Sequence, residues 1–352
     1  MVDPSARPKL SICIATFKRA AFIEETLDSI VAQLTGEVEV VIVDGASPDD
    51  TAAVVARVVA RCPVLRYWRQ SENGGVDQDY DSAVAHARGE YCWLMTDDDV
   101  LVPGAVCSVL EALRSEPDLL VVNAEVRDAA LDQVLEGSRF AAAGDLDFGA
   151  HQKEDYFRLL APCLSFIGSV VIRRKLWLAR DRASYYGSLF VHIGVIFQRP
   201  ALLTVKAIAQ PLIRIRYGNA MWTSRGFEIW TFKWPRLLWS FDDLSDEVKV
   251  AVSAREPWRR FGHLLFQRAI GGYSIAEFDR FLSDKAHGRA RIGARLAALC
   301  PGPLANLAAI VFLGLFRRQS RVALYDLLRS RHAGTLSWMA ARLLGIRLSV
   351  PS

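Results

Sequence analysis

The sequence predicts an α/β protein on three observations. Through the first hundred residues, short apolar runs alternate with stretches of helical spacing. Each apolar run ends in a polar or acidic cluster, and from about residue 227 the chain reads as mainly helical. Strands alternating with helices build βαβ units and a mostly parallel sheet. Right-handed crossovers put every strand-to-helix loop at one edge of such a sheet, which is where open α/β sheets bind ligands. The expected domains are a sheet domain over residues 1–226 and a helical, basic and apolar region over 227–352.

The elements follow in order. Residues 9–16 (KLSICIAT) read as a buried strand running into the loop Thr16-Phe17-Lys18-Arg19. Phe22, Leu27, Ile30, Val31 and Leu34 recur at helical spacing. Residues 37–43 (EVEVVIV) form a second buried strand, stopped by Asp44-Gly45-Ala46-Ser47-Pro48, and Asp49-Asp50-Thr51 supplies helix-start chemistry for the apolar run that follows. Residues 65–70 give a third strand, Asn73-Gly74-Gly75 a loop, the stretch to Ala87 a helix, and residues 91–96 a fourth strand ending in Asp97-Asp98-Asp99. Further strands are expected at 119–122, 166–172, 202–208 and 212–216.

Composition narrows the class. A chain of 352 residues that is 51% hydrophobic and 23% charged is neither disordered, collagen-like nor coiled coil. Charge is unevenly divided: residues 1–200 hold 20 Lys and Arg against 29 Asp and Glu, and residues 201–352 hold 23 against 10. A basic, apolar C-terminal part points to an anionic partner, and neither part is basic enough to make nucleic acid the default. The six cysteines form no C-x-x-C pair and read as reduced core residues. Met1-Val2-Asp3-Pro4 does not open a basic-then-apolar leader, so a cytoplasmic location is expected.

The strongest chemical signal is Thr96-Asp97-Asp98-Asp99 at a strand end. Adjacent carboxylates repel unless a cation compensates them, and Mg²⁺ or Mn²⁺ binds through one or two carboxylates plus phosphate oxygens. The alternative is an acidic first turn of a helix, which the helix dipole favours.

Four segments occur together in order: Ser11-Ile12-Cys13-Ile14-Ala15-Thr16-Phe17-Lys18-Arg19, Val43-Asp44-Gly45-Ala46-Ser47-Pro48-Asp49-Asp50-Thr51, Glu72-Asn73-Gly74-Gly75, and the run from Ala87 to Asp99. In order and spacing the chain resembles the family 2 glycosyltransferases of GT-A fold. More narrowly, it looks like the bacterial O-antigen and exopolysaccharide branch that includes abequosyltransferase-like enzymes. The likeness is specific over residues 9–110, looser to 235 and absent beyond.

That resemblance implies a nucleotide-sugar donor. Thr16, Phe17 and Arg19 would lie along the nucleotide with Asn73, Asp44 would read the base through ring N–H groups, and Asp97 would face the ribose. Asp98, with Asp99, would hold a Mn²⁺ or Mg²⁺ that stabilises the departing diphosphate. By itself Asp44 reads equally as an Asx turn before Gly45. Where the family often shows an Arg and an Asn, this chain has Val76-Asp77-Gln78-Asp79-Tyr80-Asp81. Asp77 and Asp79 either flank the donor or open a solvated acidic helix, and residues two apart cannot share one helical face.

Inverting transfer needs a base for the acceptor hydroxyl, and the Glu-Asp pair that usually supplies it in this family is missing. His192 stands in its place, read either as the base, with an ordinary pKa near 6.5, or as a core histidine, and Asp181 is the second candidate. Arg214, Arg216 and Trp222 follow an apolar run and are expected to close over the diphosphate or acceptor, the alternative being a basic surface loop. The uncharged run 304–316, followed by Arg317-Arg318, is too short to span a bilayer and reads either as an interfacial helix or as a packed one. The expected whole is an inverting transferase at the inner face of the bacterial inner membrane, acting on a polyprenyl-diphosphate-linked oligosaccharide. Its rivals are a silent membrane-docked scaffold and a sugar nucleotidyltransferase, and the second lacks a Gly-rich phosphate loop after the first strand.

Overall fold

The computed structural model describes residues 7–219 and 225–348. The first expected strand forms as β1 (Leu10–Thr16) and the second as β2 (Val38–Asp44), and every residue of both is buried. Their unbroken apolar character follows from cover on both faces, which parallel strands require. β3 (Leu65–Arg69) and β4 (Tyr91–Met95) complete a parallel set in the order β3-β2-β1-β4. The crossovers are α1 (Ile23–Val31), α2 (Thr51–Arg61) and α3 (Val76–His86). α1 buries Ile23, Leu27 and Ile30, and α2 buries Val54, Val55 and Val58. One core cluster joins these side chains to Ile12, Ile14, Val40, Ile42 and Trp93 of the sheet.

The sheet continues in the other sense. It adds β5 (Val100–Leu101), β6 (Leu119–Arg127), β8 (Leu146–Gly149), β9 (Val170–Arg173) and β10 (Thr204–Arg216), while β7 (Val134–Glu136) lies in the second unit described below. β9 pairs antiparallel with β4 and β6, and β10 pairs antiparallel with β5 and β8. The sheet therefore has a parallel half, which meets the α/β expectation, and an antiparallel extension. The strand expected at 166–172 begins only at Val170, because Ile167–Ser169 form a tight 3-10 turn. The two strands expected at 202–208 and 212–216 are one, running through Pro211, whose fixed φ suits extended backbone. This unit also holds α4 (Ala105–Ala112), α5 (Lys153–Leu164), α6 (Arg174–Ala179) and α7 (Val191–Phe197).

The chain divides into two compact units, and the division is not the single boundary near residue 226 that the sequence suggests. Residues 127–136 belong with 217–240 and 253–352, while 241–252 return to the sheet unit. The return has a physical cause: Phe241 packs against Phe197, and the buried Lys153 ammonium is 2.6 Å from Asp243. The second unit is helical. α8 (Gly226–Glu228) runs through a π turn into α9 (Trp234–Trp239), α10 (Asp246–Val252) lies in the sheet unit, and α11 (Phe261–Ala269) to α16 (Thr335–Leu343) complete the chain. Between them are α12 (Ile275–Phe281), α13 (Gly288–Leu299), α14 (Gly302–Phe316) and α15 (Arg321–Arg329). Phe227, Trp258, Tyr273 and Phe278 centre one core of this unit, and Ala269, Ile310, Leu327 and Leu328 a second.

Candidate active site

Parallel pairing brings the expected loops to one edge. Thr16 is in register with Asp44, and Ile14 with Met95, so Thr96 and Asp97 leave the sheet beside the end of β1. The first two loops are tied together. The Gly45 N–H donates to the Thr16 carbonyl at 2.9 Å, the Lys18 N–H to Ser47 Oγ at 3.0 Å, and the Arg19 N–H to Thr51 Oγ1 at 2.9 Å. Lys18 and Ala46 have φ of 57° and 62°, a left-handed conformation that non-glycine residues keep only where surrounding contacts hold it.

Asp97, Asp98 and Asp99 are all buried at this edge. Arg19 reaches into them, with Nε 3.3 Å from Asp97 Oδ1 and Nη2 3.4 Å from Asp98 Oδ2. Arg216 closes the other side: its Nε donates to the Asp98 carbonyl at 3.0 Å, its N–H to Asp99 Oδ1 at 2.6 Å, and its guanidinium pairs with Glu25. Both guanidinium groups lie over the ring of Phe22, at 6.0 and 5.4 Å. Burial first, then the neighbouring Asp98 charge, pushes Asp97 to about 7 and raises Asp99 strongly. Two arginines thus leave the cluster short of positive charge. Thr96 Oγ1 donates to the second Asp99 oxygen, so this carboxylate is already engaged at both ends.

The oxygen-only donor set and its unmet charge fit a hard divalent cation. Among the described residues no three His, Cys, Asp or Glu side chains converge on one metal position. Phosphate or water oxygens would therefore complete the shell of any cation held here.

Asp44 is fully buried and accepts from the Ser47 N–H at 2.7 Å and the Tyr67 hydroxyl at 2.6 Å. Asp79 faces it from α3 and is only 4% exposed. A Cβ on Gly45 would lie 2.5 Å from Asp79 Oδ2, so the absence of a side chain there is what lets the carboxylate approach the loop. Burial, then the Asp44 charge, pushes Asp79 up to about 6. Asn73 holds the loop before α3, its Oδ1 accepting from the Gly75 N–H at 2.9 Å, and Phe17 lies half-buried under the Lys18 ammonium.

Other expected residues are placed elsewhere. Asp77 does not share the Asp79 position: its two oxygens accept the N–H groups of Leu189 and Val191 at 2.9 and 3.0 Å, bracing α3 against the start of α7. Asp81, one turn on, holds Trp177 Nε1 and the Tyr186 hydroxyl. His192 is in the core, 1% exposed, with Nε2 2.8 Å from the Leu164 carbonyl and, among the described residues, no hydrogen-bond partner on Nδ1; burial lowers it to about 4. An imidazole open to an acceptor, as the sequence suggests, is not what this structure presents, because every residue of α7 is buried and the ring turns to the Leu164 carbonyl beside Phe190. Asp181 is exposed, and its carboxylate accepts from the Ser184 N–H. Arg214 is half-exposed and pairs with Glu125 at 3.2 Å, so of the two arginines only Arg216 joins the aspartates. Trp222 lies outside the described residues.

Sequence reasoning passed over Phe22, Glu25, Tyr67 and Ser47. Ser47 sits within a quoted motif and could have been found as the closing residue of an Asx turn. Tyr67 and Glu25 depend on register and helix rotation, which no local pattern carries.

Residues 11–177 match glycosyl transferase family 2. Abequosyltransferase RfbV of Salmonella typhimurium is 28% identical over 232 residues, covering 62% of this chain and 69% of that protein. The GalNAc(5)-diNAcBac-PP-undecaprenol beta-1,3-glucosyltransferase of Campylobacter jejuni is 30% identical over 105 residues, and the match spans only 34% of its length. Residues 1–349 of S. aureus TarS in complex with UDP share the fold, with a TM-score of 0.51 at 16% identity over 96% of this chain and 88% of that one. With the carboxylate-ended β4 and the paired loops of β1 and β2 at one sheet edge, these likenesses make residues 11–177 a glycosyl transferase family 2 domain of GT-A fold, and the protein a glycosyltransferase.

Proposed function

We propose that the protein transfers one sugar, with inversion, from a nucleotide-sugar donor to a polyprenyl-diphosphate-linked oligosaccharide during surface polysaccharide synthesis, at the inner face of the bacterial inner membrane. The observation that carries the reading is the buried, charge-deficient cluster Asp97-Asp98-Asp99 beside the Thr16 and Asp44 loops. A Mn²⁺ or Mg²⁺ bound there would act as a Lewis acid on the leaving diphosphate. Asp98 would ligate it. Asp99, engaged by Thr96 and Arg216, orients the loop rather than donating a ligand. Arg19 pairs with Asp97 and Asp98 and would supply donors toward phosphate oxygens.

Asp44 and Asp79 form the base-reading end. Asp44 is fixed by Ser47 and Tyr67, while burial and the Asp44 charge raise the Asp79 carboxylate, which would accept a ring N–H. Asp77 belongs to the frame, and His192 to packing. The acceptor class rests on the Campylobacter relative, whose name places its sugar chain on PP-undecaprenol. A transfer assay tests the whole: purified protein, a panel of nucleotide sugars with Mn²⁺, and polyprenyl-diphosphate oligosaccharide extract, the product anomer being read by NMR. Metal-dependent transfer with inverted configuration is expected, and retained configuration or transfer indifferent to chelator would reject the mechanism.

A further inference from the structure

Three of the last four helices, α13, α14 and α16, show large apolar side chains outward. α14 carries no charge, and its exposed residues Leu304, Val311, Phe312, Leu315 and Phe316 recur along one face. Its buried side holds the polar Asn306, whose amide donates to the Ala269 and Leu327 carbonyls at 3.1 and 2.8 Å. α16 repeats the inversion. Ser337 is buried and donates to Asn306 Oδ1 at 2.7 Å, while Leu336, Met339 and Leu343 are exposed, Leu343 by 86%. α13 buries Ala294, Ala297 and Ala298 and exposes Ile292, Leu296 and Leu299. In water, a helix that hides its amide and shows its phenylalanines is unfavourable by the transfer free energy of each exposed side chain. α14 packs against α16, and large apolar side chains left exposed on packed helices mark an interaction site.

Charge selects the occupant. From Lys285 onward the chain has eleven Lys and Arg and a single acid, Asp326, which is hydrogen-bonded to Tyr217. Arg289, Arg295, Arg317 and Arg342 are exposed on or beside the same three helices. Two copies meeting through this face would oppose like charges, whereas an anionic headgroup layer above an acyl layer matches both features. Among the described residues no single helix is long and apolar enough to cross a membrane; α13 and α14 together satisfy length and composition but are bent by 100°. A bend of that size suits helices lying in the surface.

We propose that α13, α14 and α16 form one monotopic insertion face, which seats the side chains of Phe312, Leu315, Phe316 and Leu343 among the acyl chains of an anionic bilayer with the arginines at headgroup level. The proposal rests on the membrane-linked acceptor of the functional reading only for its purpose, not for its evidence. Flotation with vesicles of phosphatidylglycerol and phosphatidylethanolamine tests it on the full chain, beside pure phosphatidylcholine vesicles. The expected result is flotation with the anionic vesicles, at least tenfold weaker partition to phosphatidylcholine, and at least tenfold loss in Phe312→Ser/Leu315→Ser/Phe316→Ser. These side chains are already exposed, so the variant keeps its fold, and its metal-dependent donor hydrolysis should equal that of the wild type. Wild-type protein left at the bottom of the gradient, or a triple variant that floats unchanged, overturns the proposal. So does a stable dimer in solution that the triple variant dissolves, since it would give the face to a second copy. Vesicle binding without any glycosyl transfer would leave the insertion face standing and remove the functional reading instead.

Discussion

Both units have apolar cores, but they differ in where they break the rule. In the sheet unit apolar side chains fill β1, β2 and β4, and the polar groups that are nevertheless buried, Arg19, Asp44, Asp79, Asp97 to Asp99 and Arg216, collect at one sheet edge. In the helical unit α14 buries Asn306 and α16 buries Ser337, while phenylalanines and leucines face outward. Buried polarity costs free energy unless it is paired, and exposed apolar surface costs it unless it is covered. Each unit therefore carries a surplus, and on the proposed reading a divalent cation answers the negative charge of the first and lipid the bare hydrocarbon of the second.

Breaking the charge side should give the largest effect. Asp98→Asn removes one carboxylate at the edge, and metal-dependent turnover is expected to fall by roughly 10²–10³-fold, the scale seen when one electrostatic stabiliser is lost. Donor-hydrolysis kinetics with an unchanged far-UV spectrum check it, and a fall below about threefold would detach Asp98 from the metal.

The frame comes next. Asp77→Ala leaves the N–H groups of Leu189 and Val191 without their acceptor and should cost about 1–3 kcal/mol in denaturant unfolding, as unsatisfied buried donors do. An unchanged midpoint would mean that Asp77 does not brace α7.

Asp79 sharpens the comparison, because a group proposed to read the base should weaken the fold. Its pKa is raised from 3.8 to about 6, so the folded state holds the proton more tightly than the unfolded chain. Stability from that proton is full below about pH 3.8 and is lost as pH rises through 6. Asp79→Asn is therefore expected to be more stable than wild type by about 1–3 kcal/mol at pH 7.5, with the gap closing below pH 4. A variant less stable at pH 7.5 contradicts it. Donor binding should weaken in the same variant.

The smallest effect is expected at His192. His192→Leu keeps an apolar core and should leave turnover within about twofold, at a modest cost in stability. A hundredfold loss of turnover with donor affinity kept would restore the imidazole to the chemistry.

What could be read in advance follows the same division. The strand ends were legible because β1, β2 and β4 are short apolar runs stopped by polar residues, and parallel topology alone then gathers Thr16, Asp44 and Asp97 at one edge. The alternation of Asp77 and Asp79 announced that they face different ways, but not which faces the loop at Gly45, because that depends on the rotation of α3. His192 illustrates the opposite case: its place in the chain suggested chemistry, and only the residues packed around it reveal an enclosed ring with a lowered pKa. The uncharged run of α14 suggested an interfacial helix, yet that its one amide points inward toward Ala269 and Leu327 required the fold.

The most direct test of the central claim, that this edge is a cation-dependent nucleoside-diphosphate site, is a thermal-shift panel of UDP, GDP, CDP and dTDP. Each nucleotide is added with and without Mn²⁺, to wild type and to Asp98→Asn. A ligand at 100 times its dissociation constant stabilises the native state by about 2.7 kcal/mol, so binding is visible in Tm. The account predicts that one nucleotide raises the wild-type Tm only with Mn²⁺ and that Asp98→Asn abolishes the rise. A folded wild type that answers to none of the four, or an Asp98→Asn protein that responds like wild type, would contradict it.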